Sequence, residues 1–168
     1  MTEASLISLA VITLSVAAVR LPDCKVSVRV LRSAVVAHAV LGLAYEGKKQ
    51  YASAISEFHK AEELSGGRGA YYKGLLGHAY AVAGSGTDAR KMLAELNAMA
   101  IEGNYAGQTS KATICAGLGE KENALDALEH ARDQNDASLI WLNVDSRFDS
   151  LRAEPRFQEL LKAQGWFP

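Results

Sequence analysis

From Val35 onward, apolar residues recur at three- and four-residue intervals along successive stretches that are separated by short polar or glycine-bearing segments. Side chains at that interval return to one side of an α-helix, so the pattern predicts a series of amphipathic helices with short connections. The two ends of the chain depart from it. Ser5 to Val19 is a 15-residue run without a charged residue, with a polar stripe of Ser5, Ser8 and Ser15. It predicts a buried helix closed at Leu21-Pro22-Asp23. Beyond it, Lys25 to Val30 alternates polar with apolar residues at strand period and reads as a short strand or an irregular linker. Near the other end, Pro155 is placed to open a last helix, in which Phe157, Leu160 and Leu161 form an i, i+3, i+4 apolar stripe.

Between these ends the sequence repeats itself. Leu41-Gly42 and Tyr45 superimpose on Leu76-Gly77 and Tyr80 at an offset of 35 residues, and Ala54 and Phe58 fall on Ala89 and Leu93. The same shift applied again brings both pairs onto Ala124 and Leu128 and places Gly84 on Gly119. A recurring period of this length marks a stacked array of supersecondary units, each burying a face on its neighbour. Here the unit is a helical hairpin. The small residues Gly42, Gly77, Ala54, Ala89 and Ala124 let two helices approach, while Tyr45, Tyr80, Phe58, Leu93 and Leu128 fill the seam.

These residues resemble the tetratricopeptide repeat, a helix-turn-helix unit of about 34 residues. The first block matches best, through Leu41, Gly42, Tyr45, Tyr51, Ala54, Phe58, Ala61 and Leu64, although His38 stands where tryptophan is usual and Gly66 where proline is. The second keeps Leu76, Gly77, Tyr80, Gly84, Ala89 and Leu93; the third keeps Gly119, Ala124, Leu128 and Ala131. The segment from Trp141 to Leu161 is similar to the closing part of tetratricopeptide regions at the C-terminus of bacterial multidomain regulators. The resemblance covers about residues 36 to 168. It implies an all-α fold, a right-handed α-solenoid of about three hairpins (35–68, 70–103 and 105–136) with a capping segment over 137–168 and an unmatched segment over 1–34.

Composition narrows the function. Among 168 residues, 49% are hydrophobic and the formal charge is -1, so there is no general positive field to hold nucleic acid or an anionic bilayer. Two cysteines, Cys24 and Cys115, give no disulfide framework and suit a reducing, cytoplasmic setting. The apolar run Ser5 to Val19 is shorter than the roughly 20 residues of a spanning helix and lacks the basic start of a secretory signal. It is therefore expected to be buried within the chain or in a dimer; the alternative is a membrane-tethered or exported protein, or a self-assembling scaffold that uses this run.

Catalytic chemistry is not indicated. His38, His59, His78 and His130 form no pair at metal-ligand spacing, and neither Gly84-Ser85-Gly86 nor Gly69 to Gly74 completes a nucleotide-binding loop. Cys115 stands in a packing position, where a thiol is inert. Glu120, Glu122, Asp126 and Glu129 read as a solvated helix face. The expectation is a non-enzymatic, cofactor-free protein-protein interaction module, an adaptor or regulatory fragment that binds an apolar protein or peptide segment. By the resemblance, the first helix of each hairpin lines a concave groove, with Ala39, Leu43 and Glu46 in the first, Tyr71, Gly74 and His78 in the second, and Thr109 and Thr113 in the third. Members that grip acidic chaperone tails carry basic or amide side chains at places occupied here by Ala39, Leu43, Leu75, Ala106 and Ser110, so a carboxylate ligand would have no charged partner.

Overall fold

The structure, a computed structural model, describes residues 24–67, 69–101 and 107–165. Every regular element among them is helical: α1 (Cys24–Gly47), α2 (Tyr51–Leu64), α3 (Ala70–Val82), α4 (Gly86–Ile101), α5 (Gln108–Gly117), α6 (Lys121–Asp133) and α7 (Pro155–Ala163). Two short 3-10 helices, η1 (Ala137–Trp141) and η2 (Ser146–Leu151), lie between α6 and α7. The helix expected over Ser5 to Val19, and its stop at Pro22, lie outside the described residues.

One expectation is corrected. Lys25 to Val30 is neither strand nor linker but part of α1, which runs unbroken through Val35. The alternation that suggested a strand contains a second reading, since Val26, Val30 and Ala34 also stand four apart, on one side of a helix. Helix propagation adds one hydrogen bond per residue once a nucleus exists. The strong helix from Val35 onward supplies that nucleus, and it settles the ambiguity in six residues of mixed pattern.

The chain divides into two compact units at Gly69 and Ala70. In the first, α1 packs on α2. Gly42 faces the ring of Phe58, and a methyl group placed on it would collide with that ring. In the second, α3 packs on both α4 and α5, α5 packs on α6, and η1, η2 and α7 close against α6. The core of this unit gathers Ala124, Leu125 and Leu128 from α6 with Leu139, Leu142, Phe148 and Leu151 and with Phe157, Leu160 and Leu161 of α7. The rings of Phe148 and Phe157 lie 6.2 Å apart. The apolar stripe of α7 is thus covered as its spacing required.

Arg156 fixes α7 from outside. Its guanidinium donates to Glu129 at 2.7 and 2.8 Å, to Asp126 at 2.6 Å and to Glu122 at 2.9 Å. The acidic face of α6 is solvated as expected, with Glu122 and Asp126 exposed, and it also receives the guanidinium of Arg156. The arginine's hydrogen bonds hold the Glu129 carboxyl below its usual range.

The 35-residue period is written into the backbone itself. Residues 49, 84 and 119 all have left-handed φ, at 58°, 87° and 76°. Each is preceded and followed by the same pair of hydrogen bonds: Lys49 N–H to Glu46 O and Gln50 N–H to Tyr45 O, then Gly84 to Ala81 and Ser85 to Tyr80, then Gly119 to Ala116 and Glu120 to Cys115. That pairing is the Schellman arrangement, which satisfies the last carbonyls of a helix and reverses the chain. Glycine adopts the left-handed conformation freely and occupies the second and third copies; lysine occupies the first, at a steric cost. Ala54, Ala89 and Ala124, again 35 apart, are each fully buried just beyond these turns.

Lys49→Gly should relieve that cost, partly offset by the greater freedom of glycine in the unfolded chain, and raise the unfolding free energy by about 0.5–1 kcal/mol. Urea denaturation measures it; a lowered midpoint would show that the lysine side chain contributes more than its backbone conformation costs.

Candidate functional site

Helix α3 supplies the middle of the expected groove, and its small residues decide what that surface can be. An alanine methyl at Gly74 would come within 2.7 Å of Ser110 Cβ and 3.0 Å of its Cα, and one at Gly77 within 2.5 Å of Ile114 Cδ1. One turn further on, Gly117 of α5 lies so near His78 that its own Cβ would be 2.8 Å from His78 Cδ2. Gly74, Gly77 and His78 are therefore the contact seam between α3 and α5, not an open lining.

This corrects four of the eight groove positions. Gly74, His78, Thr113 and Ala39 are buried. Thr113 donates its hydroxyl to the carbonyl of Thr109 at 2.8 Å, and Thr109 in turn donates Oγ1 to the buried Asp136 at 2.9 Å. Asp136 also accepts from the Ser138 N–H, so this pair of threonines ties α5 to the start of η1. Leu43, Glu46 and Thr109 are half-buried, and Tyr71 alone of the eight is exposed, at 47%, with its ring edge-on to Tyr72 at 5.4 Å. The periodicity located the helices correctly. It could not tell which side of α3 meets α5, because glycine reads the same on a contact face and on an open one.

Two hydrogen-bonded contacts between helices, one buried and one part-buried, were missed. His38 Nδ1 donates to Glu57 Oε2 at 2.6 Å, and Lys60 donates to the other oxygen at 2.7 Å. Lys73 Nζ donates to Glu95 at 2.7 Å. His38 and Lys73 stand 35 residues apart, so both copies place a nitrogen base on the first helix and bond it to a carboxylate on the second. Burial alone raises the Glu57 carboxyl, but the hydrogen bonds from Lys60 and His38 outweigh it and hold it below its usual value of 4.5. Both members of the His38–Glu57 pair are engaged with partners, as expected of a fixed structural contact.

Cys115 is buried, and that desolvation, with Glu120 nearby, pushes its thiol up to about 11. A thiol so placed is protonated at neutral pH and a poor nucleophile. Among the described residues no group of three or more His, Cys, Asp or Glu could hold a metal ion, and no helix is long and apolar enough to cross a membrane.

Outside the expected groove, Ile140, Trp141 and Val144 are 55%, 63% and 65% exposed. Leu139 and Leu142 of the same segment are buried, so the short 3-10 helix divides its apolar residues between core and solvent. The density of large apolar residues was visible in the sequence, but which of them turn outward depends on the 3-10 geometry.

No protein-family model matches the chain, and no curated protein or solved structure matches it.

Gly74→Ala should lower stability by about 1–3 kcal/mol, because overpacking against the Ser110 backbone outweighs the helix propensity gained. Gly47→Ala, where nothing lies within 4 Å of the added methyl, should leave stability unchanged or raise it by up to about 1 kcal/mol. Thermal or urea unfolding of the two variants gives the comparison, and a stable Gly74→Ala would return that position to the open surface.

The Glu57 carboxyl titrates lower in the folded chain than when unfolded, so its contribution is complete above about pH 4.5 and is lost as pH falls through its depressed folded value. Unfolding midpoints measured from pH 7 downward should show a shallower acid limb in Glu57→Gln than in the wild type; identical slopes would mean that the carboxylate is not held by His38 and Lys60.

Proposed function

We propose that the chain is a non-catalytic protein-protein interaction module whose helix pairs are tetratricopeptide repeats, stacked as a right-handed α-solenoid and closed by α7. It binds an apolar segment of a partner protein. The observation that carries this reading is the 35-residue spacing of three turns, at residues 49, 84 and 119, each with a left-handed φ and the same two hydrogen bonds; the same pairing also closes helices at Gly66 and Asn135, so it is the spacing and not the turn itself that supports a repeat. The packing of α3 along α5, first helix of one pair on first helix of the next, is the stacking that a solenoid requires. Stacked pairs of this kind act through the side chains they leave at the surface, and the resemblance to the C-terminal regions of bacterial regulators gives such a module an adaptor or regulatory setting.

Tyr71 is the anchor on the groove side. A half-exposed tyrosine offers a large rigid apolar area with a polar tip, the combination that concentrates binding energy at interfaces. On the same unit the other accessible position of the expected lining, Thr109, is small and uncharged and suits an apolar segment better than a charged one.

Tyr71→Ala should abolish capture of partners by the immobilised protein while the helical melt stays close to wild type, because the side chain is half in solvent. Trp141→Ala, on the other exposed apolar cluster, serves as the comparison. If Tyr71→Ala keeps every captured partner, the groove reading fails; if only Trp141→Ala loses them, recognition belongs to the segment before α7.

A further inference from the structure

Away from α2, helix α1 presents an apolar side: Val36 and Val40 are 54% and 59% exposed, and with Ala37, Leu41 and Ala44 they line a shallow concavity along the helix. The turns at residues 49 and 119 close α1 and α5 with the same hydrogen bonds, which sets the two helices in one register, two periods apart. Residues 37, 40, 44 and 47 thus correspond to Gly107, Ser110, Ile114 and Gly117. Those four positions, at and just before α5, form the seat of α3. A methyl on Gly107 would lie 3.1 Å from Ala70 Cβ, Ser110 meets Gly74, Ile114 meets Gly77, and a methyl on Gly117 would lie 3.0 Å from Ala81 Cβ. The contacts advance in the same direction along both helices, so α3 lies parallel to α5. On α1 the corresponding seat is open among the described residues: Val40, Ala44 and Gly47 are exposed, and nothing lies within 4 Å of a methyl placed on Gly47.

We propose that this face docks an amphipathic helix of a partner protein, held parallel to α1 as α3 is held on α5, with a small residue over Val40 and a large apolar one over Ala44. The side chains set that pattern. Val40 is bulkier than Ser110, so the residue above it has no more room than Gly74 has. Ala44 is smaller than Ile114, and the space that the Ile114 side chain fills against Gly77 is left here for a leucine-sized group. From Val36 to Gly47 the face is about 17 Å long and about 10 Å wide. That is the footprint of one helix, well below the roughly 800 Å² that each copy contributes to a stable dimer. A second copy also has no α5 face to offer in this geometry. The positions one period beyond Gly77, His78 and Ala81 are Ala112, Thr113 and Ala116, which are buried, with η2 packed on α5 and Thr109 bonded to Asp136. Contiguous apolar surface along one helix is what grooves use to take an amphipathic helix. The proposal uses the 35-residue register but not the surface around Tyr71, so the two readings can fail separately.

Fluorescence anisotropy with the full chain tests the proposal, using two labelled peptides: the sequence of residues 70–82, and the same sequence with Gly77→Leu. The wild type should bind the leucine peptide about tenfold more tightly than the glycine peptide, the scale of one buried side chain. Ala44→Ile gives α1 the residue that α5 has at this position and should reverse the order, which separates filling of the seat from the helix propensity of leucine itself. Val40→Asp should weaken both peptides by about tenfold or more while the helical melt stays near wild type, because the position is exposed. Should Val40→Asp fail to fold, the apolar exchange Ala44→Ile carries the test alone. No saturable binding at peptide concentrations up to about millimolar, the same order of preference in wild type and Ala44→Ile, or binding indifferent to a folded Val40→Asp would each refute the proposal. Sedimentation of the wild type as a dimer that Val40→Asp dissociates would give the face to a second copy and refute it too.

Discussion

Close approach of helices at positions without side chains governs this protein. Where α1 crosses α2, the Phe58 ring occupies the space a methyl on Gly42 would need; where α3 crosses α5, Ser110 and Ile114 occupy the space above Gly74 and Gly77. Dispersion contacts and apolar burial are strong only when backbones come this near, because a gap of even half an ångström forfeits much of the attraction. The larger residues of each pair, Phe58 and Ile114 among them, are fully buried because these glycines make room for them.

That close packing leaves polar groups on the contact faces that must be satisfied in place. His38 with Glu57 and Lys73 with Glu95 do so across the two helices of a pair, and Thr109 with Asp136 does so between α5 and η1. An ion pair out of water contributes little net stability, because desolvation offsets the attraction, but breaking one leaves a buried charge and is costly. Such contacts therefore act on register: a helix slipped by one residue would strand His38 or Lys73 without its carboxylate. The Arg156 cluster has a different character, lying at the surface and joining α7 to three carboxylates of α6, so its contribution is weakened by salt.

A packed seam also determines what is left for recognition. Since Gly74, His78 and Thr113 are consumed by contacts within the second unit, few of the positions expected to line a groove still reach solvent, and Tyr71 alone of them is exposed. The open face of α1 and the Ile140–Trp141–Val144 cluster are separate apolar surfaces, on different units, and each demands its own account of what meets it.

The sequence alone determined the all-helical class, the period of 35 residues and the covering role of Phe157, Leu160 and Leu161, because each follows from local spacing that any neighbour would have to respect. It also placed Gly84 and Gly119 at turns. It misread Lys25 to Val30, where six residues fit both periods and the choice lay with a helix that begins beyond them. Which way Gly74 faces, which large residues of η1 turn outward, and that His38 meets Glu57 were decided by the tertiary structure. Those outcomes depend on the angle and distance at which separate helices meet, a relation between residues 19 to 36 positions apart that no single amphipathic pattern contains.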